Sequence, residues 1–342
     1  LAAVGAGVLV IGGVIGGFIA TGTQSSSSSA NACPATTVAN KTLPSVVTIS
    51  ATSGTTGGTG SGEIIRSDGY ILTNNHVISP AVNGGRLEVL FSDGTTASAT
   101  LTGRDPQADL AVIKVNESSS LPTIPFDTSS PNVGEPVVVM GAPLGLSSTV
   151  TSGIVSALDR TVAVPGDNGQ TALLVSAIQT DAAINPGNSG GAMTNCSGQL
   201  IGVPSAGATV PNESGGSSAG SVGLGFAIPA SLAEQVANEI IETGTVTHAY
   251  FGIQVLEVPK AAAERAGVSQ GLYVEAVVPG GPSANAGLQQ GDIITEINGE
   301  PATDPTQLQA LSITERAGDT VAVTYERNGQ STKTTITLAA QP

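Results

Sequence analysis

From Leu43 to about Thr209 the sequence is cut into short apolar runs by clusters of Gly, Asp and Ser. The runs include Val46–Ile49, Glu63–Ile65, Tyr70–Thr73, Leu87–Phe91, Leu110–Val115, Pro136–Met140, Val150–Val155, Leu173–Ile178 and Leu200–Val203. Ser67-Asp68-Gly69 and Ser92-Asp93-Gly94 are typical separators. So many short strands at such spacing argue for an all-β sandwich or a pair of barrels. A glycine-rich stretch, Val210 to Gly223, reads as an exposed loop. One helix follows, Leu232 to Thr243. Ser231 and Glu234 have capping-box spacing, Leu232, Val236 and Ile240 share a face, and Gly244 stops the run. The helix and Thr245–His248 mark a domain boundary, with His248 expected as a solvated hinge residue.

Charge narrows the function. The chain carries 11 Lys and Arg against 26 Asp and Glu, a net charge of −15. Binding of nucleic acid through phosphate neutralisation needs a basic face and is excluded. Two cysteines and two histidines are too few for a disulfide scaffold or a zinc cluster, so no metal or cofactor is expected.

Leu1–Gly22 holds no charged residue and is long enough to cross a bilayer core of roughly 30 Å. It reads as an uncleaved membrane anchor, with the rest of the chain on the extracytoplasmic side. Its Gly12/Gly16 and Gly13/Gly17 spacings fit helix dimerisation, although a plain glycine-rich anchor explains them better. Thr23–Ala32 is a flexible polar tether. The expected division is an anchor over 1–22, a tether over 23–42, a first folded domain over 43–245 and a second over 246–342.

Three strings could carry chemistry: Thr73-Asn74-Asn75-His76-Val77, Ala108-Asp109-Leu110-Ala111-Val112, and Asn185-Pro186-Gly187-Asn188-Ser189-Gly190-Gly191. Their order is His, Asp, Ser. A serine hydroxyl is a weak nucleophile unless a base lies within hydrogen-bond reach and a carboxylate orients that base. The glycines around Ser189 let two backbone amides, those of Gly187 and Ser189, converge on a developing oxyanion. Gly187-Asn188-Ser189-Gly190-Gly191 also matches the nucleophile elbow G-x-S-x-G, but that fold orders its triad Ser, acid, His. After Ser189 the remaining histidine is His248, with no Asp between them, so this reading fails.

The segments around His76, Asp109 and Ser189, with Thr180–Gly191 the most specific, resemble the HtrA/Do family of serine proteases. The resemblance covers about Pro44 to Leu338. It implies a chymotrypsin-like double β-barrel followed by an α+β PDZ domain, and an endopeptidase acting on unfolded or damaged proteins. It further implies an S1 pocket walled by Ala183 and Ile184 and by Phe226 and Ala227. None of these is charged, so small aliphatic P1 residues are expected and basic ones disfavoured. Leu144–Ser152 resembles the family's regulatory loop.

Tyr250-Phe251-Gly252-Ile253 resembles a PDZ carboxylate-binding loop, which captures peptide C-termini by strand addition. Asp304-Pro305 should start a helix whose Leu308 and Leu311 line the groove or pack in the core. Family trimers pack aromatic residues ahead of the first barrel, but none occurs here between Phe18 and Tyr70, so a homotrimer is the weaker expectation. Cys33 and Cys196, both placed outside the cytoplasm, are expected to form a disulfide. The rival to a protease is a non-proteolytic chaperone or peptide-binding scaffold built on the PDZ domain.

Overall fold

The computed structural model describes residues 33–117, 119–141, 149–167, 171–207 and 221–342. The expected anchor, the tether to Ala32, and most of the Val210–Gly223 loop and of Leu144–Ser152 lie outside the described residues. No helix among the described residues is long and apolar enough to cross a membrane.

The chain enters through α1 (Ala35–Thr42), a helix where the tether was expected to continue. Val38 and Ala39 are buried, so this segment is packed rather than free. Six strands then close a first barrel: β1 (Val46–Ser53), β2 (Thr56–Ile64), β3 (Tyr70–Thr73), β4 (Arg86–Leu90), β5 (Thr96–Asp105) and β6 (Leu110–Val115), in the order β1-β2-β3-β6-β5-β4. A one-turn helix, α2 (Asn75–Ile78), follows β3. A second barrel is built from β7 (Pro136–Gly141), β8 (Thr149–Pro165), β9 (Thr171–Thr180), β10 (Ala192–Thr194), β11 (Leu200–Gly207) and β12 (Gly225–Pro229), in the order β10-β11-β12-β9-β8-β7. Closure removes the unpaired edges that an open sheet would expose.

Strand alternation explains why the apolar runs look continuous. In β6, Ala111, Ile113 and Val115 fill the first barrel while Leu110 and Val112 face the seam between barrels. In β7, Val137 and Val139 fill the second barrel while Val138 and Met140 face the seam. Successive side chains point to opposite faces, and here both faces are dry. Each fully buried Leu or Ile contributes about 1.5–3 kcal/mol.

Helix α3 (Ala230–Thr243) packs Leu232, Ala233, Val236, Ala237 and Ile240 into the seam cluster. The capping box expected at Ser231 and Glu234 is not formed. The helix starts directly from β12 with Pro229 as its N-cap, so Ser231 already lies inside the first turn. Gly244 ends the helix at φ 82°, as its lack of a Cβ allows.

The remaining residues form an α+β unit. Strands β13 (Ala249–Tyr250), β14 (Ile253–Val258), β15 (Gly271–Val277), β16 (Ile293–Ile297), β17 (Glu300–Pro301), β18 (Thr320–Arg327), β19 (Gln330–Thr337) and β20 (Ala339–Ala340) alternate with α4 (Lys260–Ala266), α5 (Pro282–Asn285) and α6 (Thr306–Thr314). The sheet runs β14-β15-β16-β18-β19, with β17 paired to β16 and β13 to β20. Leu272, Val274, Ile294, Leu308, Val323 and Ile336 belong to its core.

This unit is packed onto the barrels. Ile313 of α6 is fully buried in the seam cluster. The expectation of a solvated hinge at His248 is overturned: the residue is 6% exposed and its Nε2 lies 2.9 Å from Asp105 Oδ1. Burial of a polar ring demands a partner, and the end of β5 provides it.

Cys33 and Cys196 are joined in a disulfide, with Cα atoms 5.1 Å apart. Lys41 Nζ adds a hydrogen bond to the Ser197 carbonyl at 2.6 Å, so α1 is fastened beside the turn after β10. A link across 163 residues removes conformational freedom mainly from the unfolded chain. Replacing both cysteines by serine is therefore expected to lower the unfolding free energy by about 2–4 kcal/mol. Denaturant titration of the two forms checks this, and coincident midpoints would contradict it.

Candidate active site

Local register brings the first two candidate residues together. Thr73 at the end of β3 pairs with Ala111 of β6, so the helix starting at Asn75 begins beside Asp109. Asp109 closes the β5–β6 turn in a left-handed conformation, φ 54°, which Asp tolerates better than most residues. Asp105 shapes that turn, its Oδ1 accepting from the amides of Gln107 (3.0 Å) and Ala108 (3.2 Å). Asp109's own carbonyl accepts from the Asn75 amide at 3.2 Å and Asn74 Nδ2 at 2.8 Å.

The Asp109 carboxylate is 2% exposed and well supplied with donors. His76 Nδ1 lies 2.9 Å from Oδ2 and 3.0 Å from Oδ1, and the His76 amide donates to Oδ1 at 3.0 Å. Ser205 Oγ donates to Oδ2 at 2.6 Å. Burial pulls the His76 pKa down, but the hydrogen bond and charge of Asp109, with the charge of Asp167, outweigh it and leave the pKa above the usual 6.5. Asp167 pairs with Arg104, whose Nη1 also donates to Asn75 Oδ1 at 3.2 Å.

Ser189 sits on the loop between β9 and β10. Asn188 donates to the Asn185 carbonyl at 3.0 Å, and Pro186 followed by Gly187 at φ 101° is the pattern of a type II turn, which requires positive φ at its third residue. The amides of Gly187 and Ser189 have no acceptor among the described residues, whereas the Gly190 amide is bound to the Pro204 carbonyl at 2.9 Å. The Ser189 hydroxyl donates to the Ser205 carbonyl at 3.1 Å, not to His76. Structure thus joins His76 to Asp109 directly, and Ser189 to both through Ser205.

Sequence reasoning missed Ser205. It lies in β11 where the pairing with β12 shifts register between Pro204 and Ala206. A bulge re-aims a side chain, and a proline inside a strand is the signal that could have marked it.

Of the expected S1 residues, Ile184 and Ala227 belong to the core of the second barrel and Phe226 is half-buried. Ile184 covers Gly225, where a Cβ would strike its side chain. The Ala183 carbonyl accepts from Thr151 Oγ1 at 3.1 Å and Asn188 Nδ2 at 3.3 Å.

A second groove lies between Tyr250–Ile253 and α6, lined by Leu308, Gln309 and Ser312. Leu308 both lines it and packs in the core, while Leu311 packs against the core from its edge. The amides of Phe251 and Gly252 have no acceptor among the described residues. Gln107, from the turn ahead of Asp109, also lines this groove.

Residues 60–203 match the family model of the trypsin-like peptidase domain, and residues 249–338 that of the PDZ domain. The serine protease PepD of Mycobacterium tuberculosis is 41% identical over 336 residues, covering 95% of this chain and 71% of that protein. A probable periplasmic DegP-like serine endoprotease of Rhizobium meliloti is 39% identical, over 83% of this chain and 53% of its own length, so the chain spans about half of that relative. Among solved structures, the HtrA-type protease AlgW with decapeptide superposes with a TM-score of 0.70 at 31% identity, covering 90% of this chain and 99% of that one. With its two barrels, its PDZ unit and this depth of identity, the chain belongs to the HtrA/DegP-like trypsin-like serine endoproteases with a C-terminal PDZ domain.

Proposed function

We propose that this chain is a membrane-anchored, extracytoplasmic endopeptidase that cleaves unfolded or damaged proteins through a His76-Asp109-Ser189 acyl-enzyme mechanism. The observation that carries the reading is the bonded His76–Asp109 pair beside a loop whose Gly187 and Ser189 amides have no acceptor among the described residues. With Nδ1–H donated to Asp109, the other ring nitrogen, Nε2, keeps its lone pair and can act as base. Rotation of Ser189 about χ1 exchanges the Ser205 carbonyl for Nε2, and Oγ then attacks the scissile carbonyl as its proton passes to His76. The two amides stabilise the oxyanion, a contribution of about 2.7–4 kcal/mol per donor in related sites. His76 returns the proton to the leaving amine, and water, deprotonated by the same ring, hydrolyses the acyl-enzyme. Uncharged walls at Ala183, Ile184, Phe226 and Ala227 favour small apolar P1 residues. The Tyr250–Ile253 loop, whose Phe251 and Gly252 amides have no acceptor among the described residues, would bind a peptide carboxylate and regulate the protease.

The Ser189 hydroxyl bound to Ser205 favours a second reading, a chaperone or scaffold that holds peptides without cutting them. Casein digestion separates the two. Ser189→Ala is expected to abolish cleavage while leaving the fold intact; equal cleavage by a clean preparation of the variant would end the protease reading.

Two further outcomes follow from the site. Cleavage needs neutral His76, so kcat/KM falls as pH drops through a pKa that lies above 6.5. Asp167→Asn removes a negative charge that raises this pKa and frees Arg104 beside it. The acid limb of the pH profile should therefore move to lower pH, and an unmoved limb would contradict the assignment. At the second groove, peptides with an apolar C-terminal residue should bind the full chain, and amidating their carboxylate should abolish binding. Equal affinity for both forms would show that the loop amides are not the anion site.

A further inference from the structure

The loop that presents Ser189 is short of side chains that could hold it, since Gly187, Gly190 and Gly191 surround the nucleophile. Glycine leaves its peptide planes freer to rotate than any other residue. Yet the proposed oxyanion site demands that two specific amides keep a fixed direction, because donors aimed in advance need no reorganisation when charge develops.

One residue of the opposite barrel grips both of those positions. Ser61, on β2, donates its Oγ–H to the Gly187 carbonyl at 2.6 Å and its backbone N–H to the Ser189 carbonyl at 2.9 Å. Each contact falls on a carbonyl, so each restrains a residue while leaving its amide free. Ser61 is itself fixed: its carbonyl accepts from Thr73 Oγ1 at 2.6 Å, three residues before His76. The surroundings are close-packed. A Cβ on Gly141 would lie 3.0 Å from Ser61 Oγ, and one on Gly190 would overlap the Ser61 carbonyl oxygen.

We infer that Ser61 is a positioning residue for the reaction, its hydroxyl and amide holding the carbonyls of Gly187 and Ser189 so that their amides converge on the oxyanion. The assignment rests on the protease reading and deepens it. Without the hydroxyl the Gly187 carbonyl loses its donor, and the loop can turn the amide away from the reacting oxygen. Binding of the ground-state substrate, which does not use the hole fully, is left alone.

The test uses Ser61→Ala in the full chain, with active sites counted by fluorophosphonate titration so that only folded enzyme enters the rates. For each titrated site, kcat should fall about tenfold, less than loss of a hole donor outright. The inhibition constant of a peptide boronate, whose tetrahedral adduct with Ser189 places an oxygen in the hole, should rise by the same factor. KM and the affinity for a cleaved product peptide should stay within about twofold of wild type, as expected when a contact matters only in the transition state. A purely structural role would lower the count of titrated sites and leave both constants of the survivors unchanged. Unchanged kcat, or a fall in kcat with unchanged boronate affinity, would overturn the assignment. Thr73→Val, which removes the bond on the Ser61 carbonyl without altering residue 61, gives an independent arm. It should lower kcat and boronate affinity together, and no change in either would count against the assignment. Failure of the protease reading is recognised separately, as wild-type cleavage that survives Ser189→Ala.

Discussion

Two barrels can share one reactive centre only if their backbones meet closely enough to exchange hydrogen bonds, and that approach governs the rest of this structure. The Ser61 amide bonds the Ser189 carbonyl directly across the seam. Such contact leaves no space for side chains at the crossing points. A Cβ at Gly190 would strike the Ser61 carbonyl oxygen, and one at Gly60 would come within 3.2 Å of the Ser189 carbonyl oxygen. Around these crossings the seam is apolar: Val46, Leu72, Val138, Met140 and Ala192 are all buried. Packing supplies the cohesion, and glycine permits the proximity.

The parts of the fold legible in sequence are those whose patterns are local. β3 and β6 match the apolar runs Tyr70–Thr73 and Leu110–Val115 to the residue. β5 was missed because Thr96–Asp105 is polar and half-exposed over much of its length, so pairing with β4 and β6 makes it a strand. His76, Asp109 and Ser189 stood out as candidates through their flanking strings, and the structure bonds His76 to Asp109 and Ser189 to Ser205. Ser205 and Ser61 did not stand out, since a serine acquires meaning only from the carboxylate or carbonyl it meets, here 96 and 126 residues away. His248 misled for the same reason: nothing near it in sequence announces Asp105, 143 residues earlier.

One residue runs against the apolar logic of the seam. Glu63 pairs in register with Val46 and Leu72, is fully buried, and neither carboxylate oxygen has a hydrogen-bond partner among the described residues. Burial raises its pKa well above 4.5, against the smaller opposing pull of its own backbone amide. The unfolded chain ionises this group at ordinary carboxylate pH while the folded chain resists. Its contribution is thus neutral in acid and becomes increasingly destabilising as pH rises from about 4.5 toward the raised folded pKa. Acidity relaxes that stress; the His76–Asp109 pair is served in the opposite sense, since the proposed mechanism needs the ring neutral.

The Cys33–Cys196 bond has a consequence apart from stability. His76, Asp109 and Ser189 all lie inside the covalent ring that it closes. A single backbone nick anywhere between those cysteines therefore opens the ring without dividing the molecule. Both pieces stay attached, with His76, Asp109 and Ser189 still on one body. For a chain of the endoprotease class, whose own exposed turns are potential substrates, self-inflicted cuts in this region need not mean dissociation.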